Sequence, residues 1–238
     1  MRQDFFNFSR FRNVVAKDLR DNRKKYLLSL ALLFGVLIVF TLINRMNYAD
    51  YSFADELPLF YVTLFGGGAV WASVSFSDMD SRAGRIAALM TPASTFEKFA
   101  WQWIVAVPLF IVAYLIAIFV ADRLRVAITP NAVTDIETEP NTGFIIAGYF
   151  FIQSVFFLGS IVWRKLSAIK TFVAGSIIWG LLFGLASLLM DLFMPDMYSS
   201  TFRVSQSPVV ITVIWAFTFA VYYGTYLRLK DIEIINRW

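Results

Sequence analysis

Ser77–Lys98 reads SDMDSRAGRIAALMTPASTFEK, a polar stretch between two long runs that carry no charged residue, Leu57–Ser77 and Phe99–Ala121. Within it, Ala83, Ile86, Ala87, Leu89 and Met90 cover much of one side of Arg82–Met90, with Arg82 and Arg85 as polar neighbours. That spacing predicts a short amphipathic helix. Thr91-Pro92 punctuates the chain, and Ser94-Thr95-Phe96-Glu97 then fits a capping box. In such a box the serine hydroxyl accepts from the glutamate amide and the carboxylate reaches back to the serine amide. The next apolar run follows at once. A plain connector needs neither the helix nor the cap, although a solvated interfacial helix would show the same pattern.

Working outward, four more charge-free runs appear: Tyr26–Asn44, Pro140–Trp163, Thr171–Met190 and Val204–Leu227. All six are between 19 and 24 residues long. About 20 helical residues cross a hydrocarbon core of about 30 Å. With 58% hydrophobic and 16% charged residues, the composition is that of a polytopic membrane protein. The fold class expected is therefore all-α: six membrane-crossing helices at about 26–44, 57–77, 99–121, 143–163, 169–190 and 208–227, forming one transmembrane domain over 1–238. Of the 21 Lys and Arg residues, all but Arg45, Arg123, Arg125 and Arg203 fall on the side of Ser77–Lys98. The positive-inside rule puts that side, and both termini, in the cytoplasm.

Before the first run, Phe8, Phe11, Val15 and Leu19 recur at helical spacing, which predicts an interfacial helix over 4–23. A cleaved signal peptide fits poorly, because the apolar run is full span length and lacks a small-residue cleavage site. Pro58 suits a first helical turn. Gly66-Gly67-Gly68 permits close packing or, alternatively, a hinge, and Pro108 should kink its helix. Trp101 and Trp103, and at the chain's other end Tyr222, Tyr223 and Tyr226, read as interfacial aromatics. Ser176, Gly180 and Gly184 lie four apart, a small-residue stripe for bundle packing or a dimer seam. Asp135, Glu137 and Glu139 read as a solvated loop rather than a metal site, and Asp191–Ser207 is apolar enough to dip back into the membrane edge.

Much chemistry is excluded. The chain has no cysteine and no histidine, which removes thiolate and imidazole catalysis and nearly every transition-metal site. No charged residue falls inside the runs, against ion-coupled transport and intramembrane hydrolysis alike. Ser154, Ser160, Gln102 and Gln153 read as interhelical hydrogen bonders. There is no G-x-x-x-x-G-K-[ST] loop to cradle ATP, so energy for any transport must come from a partner. No enzyme activity, metal or nucleic-acid binding is expected of this chain.

The stretch Phe76–Trp103 resembles the permease subunits of type 2 ABC exporters, particularly those of Bacteroidetes-like bacteria. Leu89, Pro92, Ala93, Ser94, Glu97, Lys98 and Phe99 match that family's L-x-P-A-S-x-x-E-K-F pattern, with Met90-Thr91 where one residue is more usual. Trp163-Arg164-Lys165 and Ile169-Lys170-Thr171 are similar to a second family pattern. The resemblance implies a bacterial cytoplasmic-membrane permease that pairs with itself or a related permease, surrounded by membrane lipids. It implies a separate ABC ATPase subunit that binds the ATP and Mg, with no cofactor in this chain. It also implies that the 78–98 loop is the coupling helix, using Arg82, Arg85, Ile86, Leu89, Met90 and Glu97 as contacts. A membrane scaffold or sensor that holds a cytoplasmic partner without moving cargo would use the same loop.

Overall fold

The computed structural model describes residues 6–47, 55–79, 81–128, 142–163, 165–193 and 208–235. Every regular element among them is helical. In chain order these are α1 (Phe8–Asp21), α2 (Arg23–Asn47), α3 (Leu57–Val62), α4 (Gly68–Ser73), α5 (Arg82–Met90), α6 (Thr95–Ile104), α7 (Phe110–Ile128), α8 (Thr142–Val162), α9 (Ser167–Phe193) and α10 (Pro208–Ile235). Wide five-residue π turns, Thr63–Gly67 and Val105–Leu109, join α3 to α4 and α6 to α7 without a break.

Among the described residues, five stretches are long and apolar enough to cross a membrane: Arg23–Met46, Leu57–Met79, Thr95–Ile128, Thr142–Val162 and Pro208–Ile232. The chain is thus an all-α, multi-pass membrane protein. In α9 the apolar stretch Ser167–Leu181 is shorter, and most side chains beyond it lie outside the described residues. Packing orients the described helices relative to one another. Phe150 meets Trp215, and Phe157 meets Tyr222, so α8 and α10 run parallel.

Contacts between the other helices orient them in the same way. Gly68 lies against Tyr149, and Phe76 against Phe157, so α4 is parallel to α8. Leu37 shares a core with Ala117 and Ala121, and Arg45 donates to the Ile128 carbonyl at 3.1 Å, so α2 is parallel to α7. At one end, Phe96 and Phe99 pack on Tyr226, and Asn7 meets Glu97. The described N- and C-terminal helices therefore share that end of the bundle.

The π turn at Val105–Leu109 has a cause in Pro108, which brings no N–H to the helix ladder. Its neighbours collect two of its carbonyls: Trp71 Nε1 donates to Val105 O at 3.0 Å, and the Gln153 amide donates to Ala106 O. At the end of α3, Tyr114 Oη donates to Phe60 O. Backbone polar groups at membrane depth need such partners because hydrocarbon offers none.

The three glycines divide their work. A Cβ on Gly68 would stand 2.8 Å from Tyr149 and 3.3 Å from Phe110, one on Gly67 would stand 3.6 Å from Phe110, and one on Gly66 would meet nothing within 4 Å. Close packing therefore accounts for Gly68, Gly67 would make an ordinary contact with Phe110, and Gly66 faces open space. Phe110 stacks nearly parallel between Tyr114 and Tyr149, at interplanar angles of 11° and 16°.

Several expectations change in detail. Trp101 is buried beneath α1 rather than set in an interfacial belt. Tyr222 is buried in the core and Tyr226 packs on Phe96 and Phe99, while Tyr223 is exposed. Helical spacing puts Tyr222 and Tyr226 on one face and Tyr223 on another. Ser154 and Ser160 donate to carbonyls three residues back in their own helix, so they make no interhelical bond there. Asp135, Glu137, Glu139 and the segment 194–207 lie outside the described residues.

Candidate functional site

The end of the bundle that carries α1 and α5 is built from local caps and long-range braces. Ser81 caps α5 by accepting from Gly84 N at 2.9 Å. Gly84 is required for more than flexibility, because a Cβ there would fall 1.8 Å from the Asp78 carbonyl. That contact lets α5 fold back tightly on the turn at Ser77–Met79. At its other end, Thr91 Oγ1 donates to Ala87 O at 2.9 Å and accepts from Lys17 Nζ of α1 at 2.9 Å.

The capping box forms as the sequence predicts. Ser94 Oγ accepts from Glu97 N at 3.1 Å, and Ser94 N donates to Glu97 Oε2 at 2.9 Å. Glu97 does more than cap. Its other oxygen accepts from Asn7 N at 2.7 Å and from Arg10 Nη2 at 3.1 Å, and its side chain is fully buried. A buried carboxylate is tolerable only when so satisfied. Glu97 therefore welds α1 to the start of α6 and presents nothing to an outside partner.

The remaining predicted contacts of the loop divide. Ile86 and Met90, one helical turn apart, are 51% and 78% exposed. The backbones of Arg82, Arg85 and Leu89 lie in α5, and their side chains lie outside the described residues. Ser176 and Gly180 are exposed on α9, and a Cβ on Gly180 or Gly184 would meet no heavy atom within 4 Å.

Other residues of this site carry no obvious mark in the sequence. Asp18 accepts from Trp101 Nε1 at 2.7 Å, from Tyr26 Oη and from Asn22 Nδ2 at 2.9 Å. Asn22 also donates to Asp78 at 2.8 Å, and Lys25 Nζ donates to Ser77 Oγ at 2.8 Å and Val74 O at 3.1 Å. The face of α1 toward the bundle is therefore Asn7, Phe11, Val14 and Asp18, while Phe8 and Leu19 are exposed beside it. One signal for Asp18 was available: it stands seven residues from Phe11, on the same helical face.

No protein-family model, no curated protein and no solved structure matches this chain.

Proposed function

We propose that this chain is the membrane-crossing permease subunit of an ATP-driven exporter, moved by a separate cytoplasmic ATPase that docks on α5. The observation that carries the reading is the contrast within α5. Its base is tied to α1 and to the Ser77–Met79 turn, while Ile86 and Met90 stand exposed at its surface. Exposed apolar anchors on a rigid support are what a protein partner grips. The resemblance adds Arg82 and Arg85 of the same helix as polar contacts. A push on α5 has short, hydrogen-bonded routes into the bundle, through Thr91 and Lys17 to α1, and through Asn7 and Glu97 to α6.

In this reading α9 completes a sixth crossing, both termini are cytoplasmic, and the membrane is the bacterial cytoplasmic one. Two permease chains enclose the path, with Ser176, Gly180 and Gly184 at a seam between them. ATP and Mg belong to the partner, and this chain catalyses nothing. The resemblance of Phe76–Trp103 to type 2 ABC exporter permeases supports the same assignment.

The test is to replace Ile86 and Met90 together by Asp. Both side chains are exposed, so the bundle should fold as before, judged by elution in detergent and helical circular dichroism. The expected result is loss of the co-purifying ATPase and of ATP-dependent export from vesicles. Retention of both with the doubly charged α5 overturns the reading. Retained ATPase binding without export of any cargo by the unsubstituted complex would instead identify a scaffold.

A further inference from the structure

A slot of about 380 Å³ runs between α2 on one side and α3, the Thr63–Gly67 turn and α4 on the other. Its walls in the bundle's middle are apolar: Leu32 and Val36 face Val62, Gly66 and Val70, and all five are exposed. Val105 and Phe110 form its floor. Since both walls belong to membrane-crossing helices, the mouth of the slot opens to hydrocarbon. The slot exists because the helices that make it are held apart. Tyr26 and Trp71 meet at a centroid distance of 6.1 Å and Lys25 bridges to Val74 and Ser77 at one end, while at the other Leu37 shares a core with Phe60 and Thr41 Oγ1 donates to Glu56 at 2.8 Å, so the gap lies between two contacts.

The end at Lys25 is polar. Asn22, Lys25, Ser29, Ser75, Asp78 and Gln102 line it, Asp78 being held by Asn22 at 2.8 Å and by Lys25 at 3.9 Å, and the exposed Arg23 and Lys24 adjoin it. Ser75 is 8% exposed, and its hydroxyl has no hydrogen-bond partner. A buried hydroxyl of this kind costs free energy until something fills its bond. From Lys25 to Val36 the slot follows eleven residues of α2, about 16 Å at helical rise. One leaflet of hydrocarbon is about 15 Å deep.

We propose that this slot binds one acyl tail of a membrane phospholipid with an anionic headgroup, drawn from the leaflet in which α1 lies. The tail lies along Gly66, where a side chain would stand. Ser75 donates to the phosphate or ester oxygens, and Arg23 and Lys24 supply the charge complement, Lys25 being already bridged to Asp78, Ser77 and Val74. The site does not depend on the ATPase reading and would serve a scaffold equally well.

The experiment uses the full chain, stripped of lipid in detergent and titrated separately with phosphatidylglycerol and phosphatidylcholine, with bound lipid counted by native mass spectrometry. One phosphatidylglycerol should remain bound per chain, with a preference over phosphatidylcholine of roughly fivefold, the size that one basic group gives at an anionic surface. Gly66→Leu and, separately, Val70→Trp should abolish that retention, because both put bulk into the slot. Ser75→Ala should weaken it and leave the bundle's unfolding midpoint unchanged. As a second readout, quenching by phospholipids brominated on the acyl chain, taken as the difference between the unsubstituted chain and Trp71→Phe, should report Trp71 beside the tail. Equal retention and equal quenching in both filled-slot variants overturn the site. Equal retention of the two lipids overturns the anionic headgroup.

Discussion

The two π turns sit at similar depth in the bundle, on helices that pack against each other, and they end in opposite states. At Val105–Leu109 the residues Val105, Ala106 and Val107 are buried, and Trp71 and Gln153 take up carbonyls there. At Thr63–Gly67 one flank is as tight, with Gly68 against Tyr149 and Phe110, but the other opens at Gly66 onto the slot beside α2. The same local widening of a helix can thus seal a core or leave room beside it. What decides is whether a neighbouring helix supplies a side chain of the right reach.

The comparison can be broken most severely at Gly68. Gly68→Leu should destabilise the bundle by about 3 kcal/mol, the upper range for overpacking a filled site, read as a fall in the unfolding midpoint in mixed detergent. A smaller loss is expected from Gln153→Leu, which keeps the volume and removes the donor to Ala106. In a membrane such a bond is worth about 1 kcal/mol, and the same midpoint measures it. The smallest effect sharpens the contrast: Gly66→Ala should change stability by less than about 0.5 kcal/mol, since its methyl meets open space. If Gly66→Ala proved as costly as Gly68→Leu, the two sides of the Thr63–Gly67 turn would not differ as described.

A second contrast lies between Glu97 and Met90, seven residues apart and both in the stretch first read as a partner-facing loop. The capping role of Glu97 was readable because its partner Ser94 is three residues away and the geometry of a helix start is local. Its bond to Asn7, 90 residues distant in the chain, has no sequence signature. A carboxylate in a polar stretch looks solvent-facing until another helix covers it. Met90 kept its exposed position because no described residue covers it.

Sequence alone determined the quantities that hydrocarbon imposes on each segment separately. These are the length of the apolar runs, the clustering of basic residues on one side, the proline-dependent distortion near Pro108 and the capped start of α6. Each follows from a solvent that cannot hydrogen-bond or solvate charge, or from contacts within one helical turn. Tertiary structure alone decided which of three consecutive glycines touches a ring and which faces open space, that Asp18 and Glu97 fasten α1 to the bundle, and that a slot opens beside Gly66 between α2 and α4. Apolar side chains are interchangeable to the solvent, and only the approach of a particular neighbour distinguishes them.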